Sequence, residues 1–275
     1  QSKMIKKIIV SFGLLFALTS TAQEGTSSPY SFYGIGDVKF KGTVENRSMG
    51  GVSVFSDSIH LNLQNPAHFA SLKLTAFSVG GTSLNTTLKT EEAKEKARRV
   101  TLDYLAVGIP AGKLGIGFGL IPYSSVGYKI NQLADDTNDF ATQYNGIGGI
   151  NKVFLGLAYK LTNKLNIGVD AQYNFGTIET ASYKYFTDVQ DGTIEENFSR
   201  VNGVNFTAGL AYETRIYKKY TLFGSLVYSP DANLKFTNKR TITVDDQVDV
   251  QPVQNLDLNL PSRMSFGAGF GEVKK

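Results

Sequence analysis

No cysteine occurs among the 275 residues, so neither a disulfide nor a thiolate metal site contributes to stability. Long apolar runs are equally scarce. Residues 8–20, IIVSFGLLFALTS, form one, and nothing after them approaches the ~20 residues a membrane-spanning helix needs. Lys3, Lys6 and Lys7 flank that run and the small residues Thr19, Ser20, Thr21 and Ala22 end it, the pattern of a secretory leader cleaved before Gln23. The mature chain is therefore expected outside the cytoplasm, and any membrane crossing must use strands. A strong charge is missing too. The sequence carries +4, but three of its lysines lie in a leader without acidic residues, which leaves +1. No basic patch interleaved with aromatics is present, which argues against a nucleic-acid surface.

What is present from residue 70 onward is alternation. In LNIGVDAQYNF, residues 165–175, the odd positions are Leu165, Ile167, Val169, Ala171, Tyr173 and Phe175, and the even ones are Asn, Gly, Asp, Gln and Asn. Successive side chains of a strand point to opposite faces, so one face is apolar and the other polar or bare. Residues 204–212 and 263–271 repeat the pattern, and residues 114–120 set Leu, Ile, Phe and Leu against three glycines. Less regular strands are expected near 72–84, 102–109, 153–159 and 222–228.

The connections sort by length. Short ones fall at 110–113, 162–164, 216–219 and 272–275, and long polar ones at 85–100, 131–150, 176–202 and 231–261. About eight strands, apolar on one face, with short turns at one end and long loops at the other, predict an all-β, antiparallel transmembrane β-barrel. In it the apolar face meets lipid, every strand pairs on both edges, and Tyr159, Tyr173, Tyr212 and Tyr228 belong to an aromatic girdle. A secreted β-sandwich is the alternative, but its solvent face would carry Lys, Glu and Thr rather than so many glycines. The domains are then a leader (1–22), a hatch or plug segment (23–69) and barrel strands (70–275).

The segment before the first strand lacks sustained alternation. Gly34, Gly36, Gly50 and Gly51 suit the backbone of a compact plug, and Pro66 restricts Asn65 to extended geometry that aims the chain into the wall. MGGVSVFSDSIHLNLQNPA, Met49 to Ala67, resembles the hatch signature of FadL-type transporters of the outer membrane, as do LGIGFGLIPY, GLAYKLTNKLNIGVDAQY and LNLPSRMSFGAGF further on. The resemblance implies a fourteen-strand barrel, of which this chain is an N-terminal, incomplete portion, and uptake of hydrophobic compounds such as long-chain fatty acids. It implies a hatch and gate at Gly50, Gly51, Asp57, Asn65, Pro66 and Ala67, and a lateral exit through the wall. Pro122 cannot donate to a ladder, so Pro122, Ser124 and Ser125 are the candidate gap.

Catalytic residues, metal ligands and cofactors are not expected. His60 and His68 are the two histidines, and none lies beyond them to serve a barrel hydrolase. The carboxylates of DDTND (Asp135, Asp136, Asp139) and DDQVD (Asp245, Asp246, Asp249) match no EF-hand spacing and read as solvated loop charge. Residues 91–99, EEAKEKARR, read as a short charged surface helix. The expected partners are hydrophobic small molecules or lipids and the outer membrane of a Gram-negative bacterium. Two other readings stand beside the channel: an accessory or carrier subunit with a protein partner in a secretion or assembly complex, and a surface adhesive β-protein.

Overall fold

Period-two sequences leave a sheet with two unlike faces, and the fold follows from what covers each. The computed structural model describes residues 28–89, 94–133, 140–186, 192–216, 219–245 and 247–272. The leader and Asp135, Asp136, Asp139 and Asp246 lie outside them. Among the described residues twelve antiparallel strands form a single sheet. They are β1 (Asp37–Val38), β2 (Ala76–Lys89), β3 (Lys94–Ala111), β4 (Leu114–Gln132), β5 (Phe140–Lys160), β6 (Leu165–Phe186) and β7 (Thr193–Ile216), then β8 (Tyr220–Ser229), β9 (Ala232–Val244), β10 (Gln247–Gln251), β11 (Leu256–Leu260) and β12 (Arg263–Glu272). Among the described residues one α-helix, α1 (Val44–Ser48), and two 3-10 helices, Pro29–Phe32 and Pro66–Ser71, complete the chain. No described helix is long and apolar enough to cross a membrane.

From β2 to β7 each strand pairs with the next in sequence. The far edge of β7 is shared. Its outer half pairs β9, from Thr193↔Val244 to Asn202↔Lys235, and its inner half pairs β8, from Ala208↔Tyr228 to Ile216↔Tyr220. β8 and β9 are thus one ribbon broken at Pro230 and Asp231, where proline removes a ladder donor. β12 pairs β8, and β11 and β10 pair β9, which makes a second broken ribbon. Counted as ribbons the wall has eight members besides β1. They curl into an open half barrel, and the described residues do not form the full fourteen-strand barrel of which the chain was expected to be an incomplete portion.

The faces divide as the alternation requires. Val153, Leu155, Leu157 and Tyr159 on β5 are exposed, while Phe154, Gly156 and Ala158 between them are buried. On β6 and β7 the exposed rows are Val169, Ala171 and Tyr173, and Val204, Phe206, Ala208, Leu210 and Tyr212; Gly168, Asp170, Gln172, Asn174, Asn205 and Thr207 are buried. The apolar rows therefore point away from the rest of the described chain, unlike those of a sandwich. The inner face is covered by residues 28–75. Leu61, Leu63, Phe69 and Leu72 of that segment form one core with Tyr104, Ala106, Ile121, Phe154 and Ala158 of the wall. Each Leu, Ile or Phe among them, once buried, contributes about 1.5–3 kcal/mol.

Two expectations are corrected by the ladders. The charged stretch from Lys94 to Arg99 is strand, not helix: Thr86↔Ala97, Thr87↔Lys96 and Leu88↔Glu95 pair in the β2–β3 hairpin. Cross-strand pairing overrides the helix preference of Ala, Glu, Lys and Arg. The long polar connections are likewise mostly strand. β4 through β7 run 19 to 24 residues each, so the hairpins continue well past their apolar portion. The first long strand begins at Ala76, after a 3-10 helix and a short link, rather than at residue 70.

Candidate functional site: an N-terminal segment docked on the inner wall

The inner face is rich in glycine because another backbone lies against it. A Cβ on Gly168 would sit 2.6 Å from the Ala67 amide nitrogen, and one on Gly209 would run into Asn65 Oδ1. Only a residue without a side chain permits such approach.

Asn65 occupies that contact fully buried. Its Oδ1 accepts from the Ala67 amide at 2.9 Å, capping the 3-10 helix Pro66–Ser71, and its own amide donates to Asn62 Oδ1 at 3.2 Å. Asn65 Nδ2 donates to the Leu210 carbonyl on β7 and to Ser225 Oγ on β8, both at 2.9 Å. One amide group thus fastens the segment to two neighbouring strands. Pro66 and Ala67, also buried, fill the space above Gly168 and Gly209. His68 follows, with Nδ1 3.3 Å from Ser56 Oγ. Burial pushes its imidazole down to about 4, against a backbone hydrogen bond at Ser53 that favours the charged form.

Gly50 and Gly51 serve a different purpose. They adopt φ of 70° and 88°, the left-handed conformation that ends α1, and their amides donate to the Arg47 and Asn46 carbonyls. Asp57 is exposed. It accepts from the Ile59 amide at 2.8 Å, from the His60 amide at 3.3 Å and from His60 Nδ1 at 2.7 Å. Partial burial would raise its carboxyl, but the hydrogen bonds from Ile59 and His60 outweigh that and hold it below the ordinary value. The same side-chain bond lifts His60. The structure therefore separates the six hatch residues into a wall anchor (Asn65, Pro66, Ala67) and two local turns.

Pro122, Ser124 and Ser125 lie on β4 where its register against β5 shifts. The β3–β4 ladder runs from Ala111↔Leu114 to Leu105↔Leu120. Beyond it the edge of β4 is taken by the N-terminal segment: β1 pairs Asp37↔Ser125 and Val38↔Ser124, and the Lys39 amide donates to the Tyr123 carbonyl at 2.8 Å. Ser31 Oγ accepts from the Gly127 amide at 3.1 Å, and the Phe32 ring packs on Tyr128 and Tyr144. The seam is filled from inside by β1.

Two further clusters were not singled out in the sequence. Arg47 Nη1 donates to Thr82 Oγ1 at 2.7 Å and to Asp103 Oδ2 at 3.3 Å, and its guanidinium lies 5.5 Å from the Phe40 ring, so α1 is clamped to the β2–β3 hairpin. Across β5 to β8 runs a polar network. Lys152 Nζ donates to Gln172 Oε1 at 3.3 Å, Gln172 Nε2 to Asp170 Oδ1 at 2.6 Å, and Asn174 Nδ2 to Asn205 Oδ1 at 2.7 Å. Lys41, from the segment, approaches Asp170 at 4.0 Å. Burial pushes the Lys41 ammonium below its ordinary value, against the pull of Asp170. Asp103 and Asp170 were legible as carboxylates at inward positions of alternating strands, but their cationic partners come from distant segments.

These features define a class: a curled β-wall with an apolar outer surface and an interior of apolar and polar side chains occupied by its own N-terminal segment. Residues 4–275 match the model of the BamG family, and the chain belongs to that family. No curated protein and no solved structure matches it. The FadL resemblance is thereby corrected. The Gly-Gly, Asp and Asn-Pro-Ala of Met49–Ala67 end a helix, hold a turn and anchor a segment, structural tasks that carry no substrate information.

Proposed function

We propose that this chain is an outer-membrane wall subunit that acts with a protein partner in the assembly of outer-membrane proteins. Membership of BamG, a family associated with the Bam assembly complex of Gram-negative outer membranes, carries the reading. The exposed apolar rows of β5, β6 and β7 support placement in lipid, where hydrocarbon solvates them at no cost. The interior supports an accessory role over conduction of hydrophobic compounds. Beside apolar residues that pack against the segment it carries the buried Asp170, Gln172, Asn174, Asn205 and Thr207, and residues 28–75 occupy it, which favours a filled wall over an open conduit. The role is one of binding and scaffolding, without catalysis or cofactor. In the membrane the edges at β2 and at β10–β12 are paired, because each backbone group left unpaired in lipid costs several kcal/mol.

The test is affinity purification of the tagged chain from native envelopes, combined with its depletion. The central barrel protein of the assembly machinery should co-purify, and depletion should lower the envelope content of other β-barrels. Purification of the chain alone, with unchanged levels of other barrels after depletion, contradicts the proposal.

A further inference from the structure

Between the docked segment and the wall lies a cavity of about 300 Å³. Four cationic side chains line it, Lys39, Lys41, Lys152 and Arg263, against one carboxylate, Asp170. They converge from three regions: the segment after β1, strands β5 and β6, and the start of β12. Asp170 does not balance them. It stands 4.0 Å from Lys41 Nζ, and its Oδ1 is already engaged by Gln172 Nε2 at 2.6 Å. Lys152 Nζ has Gln172 Oε1 at 3.3 Å and the Tyr123 ring at 3.9 Å, both uncharged. Arg263 is exposed and stands where the cavity meets solvent.

Like charges gathered in a partly dry space destabilise one another unless an ammonium gives up its proton, the direction in which burial pushes Lys41, or a counter-charge joins them and keeps them charged. The surplus here is larger than a single carboxylate ligand would neutralise. A doubly charged oxyanion suits it, with the guanidinium of Arg263 able to grip two oxygens and the ammonium groups supplying point charge. Thr207 and Ser229 place hydroxyls on the same lining, within 3.0 Å of each other.

We propose that this cavity binds an oxyanion of the phosphate class, held by Lys41, Lys152 and Arg263. The site goes beyond the assembly role and rests on the cavity's charge alone. Its ligand is either free phosphate or the phosphate of a lipid headgroup.

The experiment takes the full chain, purified in detergent without phosphate, and follows thermal unfolding in phosphate and in chloride of equal ionic strength near neutral pH. Phosphate should raise Tm saturably and chloride should not. Lys41→Met and Lys152→Met should each weaken the apparent affinity roughly tenfold, the loss of one charge-assisted hydrogen bond. Asp170→Asn removes the competing carboxylate and should bind phosphate at least as tightly as the wild type, which keeps the test decisive if a lysine variant fails to fold. Lipid extraction of the same preparations separates the sources: anionic phospholipid retained by the wild type and lost in the lysine variants identifies a headgroup. Equal responses to phosphate and chloride without retained lipid overturn the site. So does a phosphate response that the lysine variants keep in full, or one that Asp170→Asn weakens.

Discussion

Asn65 fastens the docked segment at three points, since its amide serves the segment's own helix and two wall strands at once. Replacing it by Leu leaves the Ala67 amide, the Leu210 carbonyl and the Ser225 hydroxyl to find other partners in a buried place. Asn65→Leu should lower stability by about 2–4 kcal/mol in chemical unfolding. His68, three positions on and also buried, makes the docking sensitive to acid. Its imidazole is held at about 4 in the fold against an ordinary value of 6.5, so the neutral form is the one that packs. Stability is therefore complete above about pH 6.5 and declines as pH falls from there to about 4, by at most about 3 kcal/mol. Unfolding measured across that range should show the decline in the wild type and a smaller one in His68→Leu. At this scale the sequence was partly legible. Asn65 and Pro66 were visible as a turn leading to the wall, but the partners of Asn65 on β7 and β8 lie 145 and 160 residues away.

At the scale of elements, strands with an apolar face were readable and strands without one were not. The hairpins of β2–β3, β4–β5 and β6–β7 rise beyond the lipid-facing rows, and there Thr, Asn, Lys and Glu occupy both faces. No hydrophobic period marks such a ribbon, so 91–99 read as a helix, while pairing alone made its described part, 94–99, strand. β1 was invisible for the opposite reason. Two residues, Asp37 and Val38, are too short for any period, and what specifies them is the open edge of β4. The register gives a direct check. With Val38→Cys and Ser124→Cys, Cα partners in the ladder, mild oxidation should cross-link most of the protein within the chain without loss of the fold. Two free thiols after oxidation, with the fold intact, would remove β1 from the seam.

The molecule as a whole turns on the division between its faces. That division was legible because glycine, asparagine and glutamine alternate with Leu, Val and Phe over several strands, and the structure gives each row a cause: the bare positions admit the N-terminal backbone and the apolar ones face away from protein. The charged cavity was not legible, since Lys41, Lys152, Asp170 and Arg263 meet only when the segment has docked on the curled sheet. The decisive measurement is a spin-label scan along residues 165–175 and 204–212 in bilayers, reading collision with oxygen and with a water-soluble paramagnet. The account predicts oxygen maxima at Val169, Ala171, Tyr173, Val204, Phe206, Ala208 and Leu210, and low collision with both reagents at the alternate positions, which the docked segment covers. Oxygen maxima at Asp170, Gln172, Asn205 and Thr207, or no period of two in either reagent, would contradict it.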